Sequence, residues 1–324
     1  MERIERFRRE WCDDSPYITA HSSGSTGAPK EIRLAKADMR TSAEATNLFF
    51  GIGPQSTVAM ALSADYIAGK MRAVRAWISG ADLLPLPVSN ELIIPEGTTI
   101  DLLAIVPSQM PALAAHPEFA SRVRNVLVGG ASPSAEMCTR LTRLGYKTFI
   151  SYGMTETCSH VALADGNDPA RVFRAMPGVS FDTTDDCRLI VRCPKFSFGQ
   201  LCTNDVVELL SEHSFLWRGR ADGVINSGGI KLFPEELETL YHPFMGRIPY
   251  YVCAIGHSVW GQAACIVAEC NEADRSEIKH RLEASVADHK RLPKRYVAVA
   301  TLPRTSNGKV RRIIPEICTA SLDD

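Results

Sequence analysis

The sequence predicts an α/β protein with a large first domain and a small α+β second domain. Three features predict it. Short apolar, β-branched runs alternate with amphipathic helix patterns from residue 57 to 150, as in βαβ units around a mainly parallel sheet. From 172 to 218 strand-length segments follow one another with few helix signals, which reads as mixed β structure. After Gly219 helix and strand patterns resume, and 324 residues suffice for two domains. The boundary falls near 219–223, with 1–220 as the first domain and 221–324 as the second.

The elements justify this in order. TVAMAL at 57–62 reads as a strand, and 67–79 (IAGKMRAVRAWIS) carries apolar residues at helical spacing. DLLAIV at 101–106 is a second strand, with a helix after Pro107. Strand 125–128, helix 134–144 and strand 147–150 continue the alternation. In the second domain a helix starts near Pro234, which suits a first turn, and Glu235, Glu236 and Glu238 complement the helix N-terminal charge. Strands 249–256 and 263–268, a helix over 272–288 and strand 296–300 complete that unit.

Composition narrows the function. With 36 Lys+Arg against 37 Asp+Glu, the net charge of -1 offers no overall field for nucleic acid or anionic lipid. The opening MERIERFRREW has no apolar core of a secretory signal, and no stretch approaches the ~18–20 apolar residues of a membrane span. The expected location is the cytoplasm, with neither membrane nor nucleic acid as partner. Ten cysteines form no CxxC pair and no zinc-finger spacing with histidine, so they read as reduced thiols.

Residues 22–30, SSGSTGAPK, follow the strand-like YITA. Gly24 and Gly27 permit close approach of backbone to an anion. Ser22, Ser23, Ser25 and Thr26 add hydroxyl donors, backbone N–H groups can form a nest, and Lys30 adds positive charge. The spacing fails the GxxxxGK[ST] pattern of P-loop NTPases. A flexible Ser/Gly surface loop is the plain alternative.

This loop resembles the phosphate loop of the adenylate-forming superfamily, which includes acyl-CoA synthetases, luciferases and peptide-synthetase adenylation domains. Glu31 stands where that family usually has glycine. Further segments match in the family's order. VGGASPS (128–134) resembles the turn facing adenine, with Gly130 and Ala131. YGMTET (152–157) resembles the family's central motif. TND (203–205) resembles its Thr-Gly-Asp, with Asn204 for glycine. The segment 217–238 resembles the hinge and the start of the second domain, and PRTSNGK (303–309) the C-terminal lysine loop.

The resemblance implies the adenylate-forming fold, ATP and Mg²⁺, and coenzyme A as co-substrate. It places Tyr152 and Gly153 at the adenine, Thr155 at the α-phosphate and Glu156 on magnesium, which suits a hard oxygen ligand. Asp205 and Arg220 fall at the ribose, Asp222 at the hinge and Gly228-Gly229 at the thiol's approach. Lys309 bridges the carboxylate and the phosphate. It implies acyl-adenylate formation with release of pyrophosphate, then rotation of the second domain about Asp222 and thiol attack. Only 21 residues precede the loop, where family members usually carry a hundred or more, so the first domain is expected to be truncated at the front. A homodimer would cover the face this leaves.

The substrate is read from 62–80. The histidine-containing motif usual there is replaced by Tyr66-Ile67-Ala68-Gly69-Lys70-Met71. This segment and the short front resemble the compact bacterial o-succinylbenzoate–CoA ligases of menaquinone synthesis. That substrate keeps a second, unactivated carboxylate, which a cation would hold. Tyr66 and Lys70 are the expected substrate residues. Arg72 and Arg75 are further candidates for that cation, with the solvated helix face as their favoured reading. The alternatives are another aryl- or short-acyl-CoA ligase, an adenylation module acylating a carrier protein, and a non-catalytic nucleotide or acyl sensor.

Overall fold

The computed structural model describes residues 2–21, 31–304 and 310–314. The phosphate-loop residues Ser22, Ser23, Gly24, Ser25, Thr26, Gly27 and Lys30, and the lysine Lys309, lie outside the described residues. The chain opens with α1 (Glu2–Cys12), then the hairpin β1 (Tyr17–His21) and β2 (Glu31–Ala35), whose register ends at His21 opposite Glu31. The expected phosphate loop is therefore the connection of a two-stranded hairpin. Helix α2 (Lys36–Phe50) follows.

The parallel part of the large sheet comes next: β3 (Thr57–Met60), α3 (Ile67–Ser79), β4 (Asp82–Pro85), β5 (Leu102–Ile105), α4 (Met110–Ala115), β6 (Val126–Val128), α5 (Ala135–Arg143) and β7 (Thr148–Met154). Strands β5 and β6 are buried at every position, as strands covered on both faces must be. Gly80, at φ 71°, caps α3, and the Ser134 hydroxyl caps α5 by accepting from the Met137 N–H.

From β7 onward the sheet turns antiparallel through β8 (Ser159–Asp165), β9 (Phe173–Ala175), β10 (Ser180–Thr183), β11 (Arg188–Cys193), β12 (Gly199–Ser211) and β13 (Ser214–Arg220). Among the described residues the whole forms one eleven-stranded sheet, in the order β10-β11-β12-β13-β9-β8-β7-β6-β5-β3-β4. The sheet expected to be mainly parallel is parallel only from β4 to β7. A four-residue turn after β7 cannot make a parallel crossover, so β8 returns antiparallel.

A 3₁₀ turn at Ala221–Gly223 leads to β14 (Ile225–Ser227), β15 (Ile230–Leu232), α6 (Pro234–Met245), β16 (Tyr250–His257), β17 (Gly261–Glu269), α7 (Glu272–Ser285) and β18 (Arg295–Val299). These strands form a separate small sheet. One of its faces packs Leu237, Tyr241, Ile278 and Leu282 of α6 and α7, and the other gathers Tyr251, Cys253, Cys265 and Leu302. The large sheet has its own core. Arg218 on β13 pairs with Glu208 and with Glu236 of α6, the latter at 3.1 Å.

Helices α1 and α2 have no counterpart among the sequence expectations. On α1, Phe7 is buried with its ring 5.4 Å from Trp77 of α3, and Arg3 and Arg6 hold Asp65 at the entrance to α3. On α2 the inward face is mixed, with Asp38, Ser42, Thr46 and Asn47 buried beside Met39 and Ala43.

Candidate functional site

Of the residues expected at the nucleotide, the described ones gather where the sheet changes from parallel to antiparallel. That is the edge on which open α/β sheets place ligands. Strand β6 ends in Gly129-Gly130-Ala131, with Gly130 at φ 84°, and the neighbouring β7 carries Tyr152 to Met154. Gly153 is required by space: a Cβ there would come within 2.0 Å of the Ser159 carbonyl. The turn from Thr155 to Cys158 is knotted by Thr157, whose hydroxyl accepts from the Met154 N–H and lies 2.7 Å from the Ser159 carbonyl. Cys158 and Ser159 both take positive φ, 55° and 123°, a strained pair of the kind that collects at functional turns. Glu156 stands exposed on this turn and Thr155 is half-buried.

Tyr152 and Asp205, 53 residues apart, meet directly. The Tyr152 hydroxyl donates to Asp205 at 2.7 Å, and the Trp217 indole N–H donates to the other carboxylate oxygen at 3.1 Å. The Tyr152 ring packs against Phe215 and Phe173 at 5.1 and 5.7 Å. Burial, with the Asp205 charge adding to it, pushes the Tyr152 hydroxyl well above its ordinary range, so it stays a neutral donor. Arg220 is the register partner of Asp205 across β12 and β13. Its guanidinium grips Asp222 through two bonds of 3.2 and 3.0 Å, which lowers the Asp222 carboxyl. The expected ribose and hinge residues are thus one connected network. Each Asp205 oxygen keeps a second lone pair for a hydroxyl donor.

Glu156 suits magnesium, which takes one or two carboxylates alongside substrate phosphates. Among the described residues no group of three or more His, Cys, Asp or Glu makes a metal cage, so one exposed carboxylate beside phosphates is the arrangement that fits. Gly228 and Gly229 form the two-residue turn between β14 and β15 at φ 56° and 81°. Positive φ at both positions is the hairpin geometry that favours glycine. Gly228 also donates its N–H to the Trp260 carbonyl at 3.0 Å.

On the acyl side the structure redistributes the expected roles. Tyr66 stands at the start of α3, 46% exposed. Lys70 is 7% exposed and turned to α1, its ammonium 3.5 Å from Glu10 and 4.3 Å over the Phe7 ring. Arg72 and Arg75, expected in solvent, are 3% and 1% exposed. The buried part of α3 carries its cations among apolar residues, against α2 and against Ser159 and His160 of β8.

Arg75 donates to Ser159 at 3.1 Å and lies 3.4 Å from His160 Nδ1, while His160 Nε2 meets the Thr46 hydroxyl at 3.2 Å. Arg72 Nε and Nη1 and Arg75 Nε have no hydrogen-bond partner among the described residues, and no carboxylate there pairs with either arginine. Burial lowers Arg75 to about 9 and Arg72 well below its usual value, Arg75 adding to the latter. It also holds His160 neutral.

The sequence offered Arg72 and Arg75 as candidate cations but favoured solvent for them, and it did not foresee the cluster with His160 and Thr46. The available signal was the composition of α3, whose thirteen residues carry three cations and no acid. A solvated face would more often pair its charges at i,i+4.

Comparison with known proteins identifies the family. A family profile described as "AMP-binding enzyme" matches residues 5–203. A 2-succinylbenzoate–CoA ligase of Listeria monocytogenes is 26% identical over 322 residues, covering 90% of this chain and 68% of that protein. A namesake in Staphylococcus aureus is 26% identical over 330 residues, covering 90% and 65%. Among solved structures, an AMP-forming acyl-CoA synthetase-like protein of Dyadobacter fermentans superimposes with a TM-score of 0.63 at 26% identity, covering 96% and 91%. The o-succinylbenzoate CoA synthetase of Bacillus subtilis, bound to its acyl-adenylate, gives a TM-score of 0.76 at 20% identity, covering 91% and 67%.

Proposed function

We propose that this chain, which belongs to the AMP-binding enzyme family, is an AMP-forming acid–CoA ligase acting on an aromatic dicarboxylic acid, o-succinylbenzoate. The observation that carries the substrate class is the buried arginine pair. Two guanidinium groups removed from water without an anion are costly, and a bound carboxylate would offset that cost. Activation consumes one carboxylate of the acid, and the second would occupy the unpartnered donors of Arg72 and Arg75. This moves the expected second-carboxylate contact from Lys70, which Glu10 and Phe7 already engage, to the inner face of the same helix. The curated relatives named above for that ligase activity support the choice.

In the first half-reaction the substrate carboxylate attacks the α-phosphorus of ATP and pyrophosphate leaves. Negative charge builds on the phosphoryl oxygens, so donors fixed in advance do most of the work. Lys30, the loop hydroxyls and Lys309 would supply them. Tyr152 and the Gly130-Ala131 turn would hold adenine, and Asp205 and Arg220 the ribose. Glu156 would hold magnesium, which neutralises phosphate charge when bound.

In the second half-reaction the second domain, 221–324, would rotate about Asp222. That withdraws Lys309 and presents the Gly228-Gly229 turn, and the CoA thiol displaces AMP. The Arg218–Glu236 pair joins β13 to α6 and would have to break in that rotation. Pyrophosphate release across a panel of aryl acids, with and without CoA, tests the reading. Turnover of o-succinylbenzoate well above benzoate is expected; equal rates on both would defeat the substrate assignment.

A further inference from the structure

Cys253 on β16 and Cys265 on β17 are direct register partners across an antiparallel pair, and both lie in the same apolar cluster on one face of the small sheet. Opposed residues in such a ladder have Cα atoms roughly 4.5–5.5 Å apart, within the span a disulfide bridges without backbone movement. The neighbouring Cys265 side chain holds the Cys253 thiol below its ordinary range. Cys265 Sγ also donates to the Ile266 carbonyl at 3.6 Å.

The C-terminal stretch covers the pair. Leu302 and Val310 pack on this face, and the Tyr251 hydroxyl donates to the Ile313 carbonyl. Arg312 pairs with Glu238 at 2.7 Å and with Glu235 at 3.4 Å. Arg304 and Val310, which bridge one another, bracket the segment that carries Lys309.

We infer that Cys253 and Cys265 are a redox-sensitive dithiol, converted by a peroxide to an intramolecular disulfide beneath the C-terminal stretch. The Cys253 thiolate attacks one peroxide oxygen, the O–O bond breaks, and a sulfenic acid forms as water leaves. The Cys265 thiol then displaces a second water and the S–S bond closes. Two thiols and one hydrogen peroxide thus give one disulfide and two waters, the peroxide taking both electrons. Both thiols are buried, so the small sheet must open locally before the oxidant arrives. Closing the bridge changes the floor on which Leu302 and Val310 rest, the residues that flank the sequence carrying Lys309. This link to adenylation rests on the reading of Lys309 above; disulfide formation does not.

The test uses the full chain with Cys12, Cys187, Cys202 and Cys318 changed to serine, treated with hydrogen peroxide under native conditions. Intact mass should fall by two hydrogens, and digestion should yield a peptide linking 253 to 265. A thiol reductant should reverse both. Cys265→Ala should form no link and leave a sulfenic acid at Cys253 that a dimedone probe traps. ATP–pyrophosphate exchange should drop several-fold on oxidation and recover on reduction. Thiols at 253 and 265 that stay reduced, or a link to another cysteine, would overturn the dithiol. A formed bridge with unchanged exchange would overturn its coupling to Lys309. Absent exchange in untreated protein would sink the proposed function and leave the mass result standing.

Discussion

Two buried polar regions flank the turn between β7 and β8, and they are built oppositely. On the nucleotide side each charge has its partner: Asp205 accepts from Tyr152 and Trp217, and Arg220 grips Asp222. On the other side Arg75 reaches the neutral His160 and the Ser159 hydroxyl, and three guanidinium nitrogens of Arg72 and Arg75 have no hydrogen-bond partner among the described residues. A closed network keeps its geometry before the ligand arrives. An open cationic one is costly alone and is relieved by an anion. On the proposed function, the difference would separate a platform for the nucleotide from a reader for the acid.

The largest expected effect lies on the nucleotide side and is blind to the acid. Lys309→Ala should lower adenylation by roughly 10²–10³, as removal of one preorganised donor does. Thioester formation from supplied acyl-adenylate should be spared. Equal loss in both half-reactions, measured by pyrophosphate exchange and by single-turnover thioester formation, would contradict alternating use of the second domain. Asp205→Asn should follow at about tenfold in KM for ATP, the cost of weakening charge-assisted hydrogen bonds. If that variant alters discrimination between acids instead, the two regions are not separate.

The smallest effect sharpens the acyl side. Burial, reinforced by Arg75 and Arg72, holds His160 neutral and well below its ordinary value of 6.5. As pH falls through about 6.5 the unfolded chain takes up a proton that the folded chain does not, so stability is lost below that pH. The loss should approach about 1.4 kcal/mol per pH unit. Denaturant titrations from pH 7.5 to 5 should show this slope, and His160→Gln should flatten it. An unchanged slope in the variant would mean that other groups carry the acid sensitivity.

Much of this arrangement was legible in the sequence, for reasons that differ by element. Strands β5 and β6 announce themselves because both faces are buried and every position is apolar. Helix α3 falls where its spacing and Gly80 place it. Helix α2 stayed hidden because its inner face is broken by polar residues, with Ser42, Thr46 and Asn47 beside Met39 and Ala43 where a continuous apolar periodicity would be sought. The same mixture misled the reading of Arg72 and Arg75, whose charge suggested solvent although both are buried. The motif residues Tyr152, Asp205 and Arg220 could be picked out singly. Their mutual bonds could not, since strand register across β12 and β13 is a property of the folded sheet. The partners of Lys70 come from α1, sixty residues earlier, and no local pattern announces that contact.

The most direct measurement compares Arg72→Met and Arg75→Met with the unaltered chain in pyrophosphate release on o-succinylbenzoate and on benzoate. Loss of charge-assisted bonds to a carboxylate, each about 1.5–3 kcal/mol, predicts a rise in KM for o-succinylbenzoate of roughly 10- to 100-fold. The KM for benzoate should stay unchanged. An equal change on both acids, or none on either, would contradict the assignment of the buried arginines to the second carboxylate.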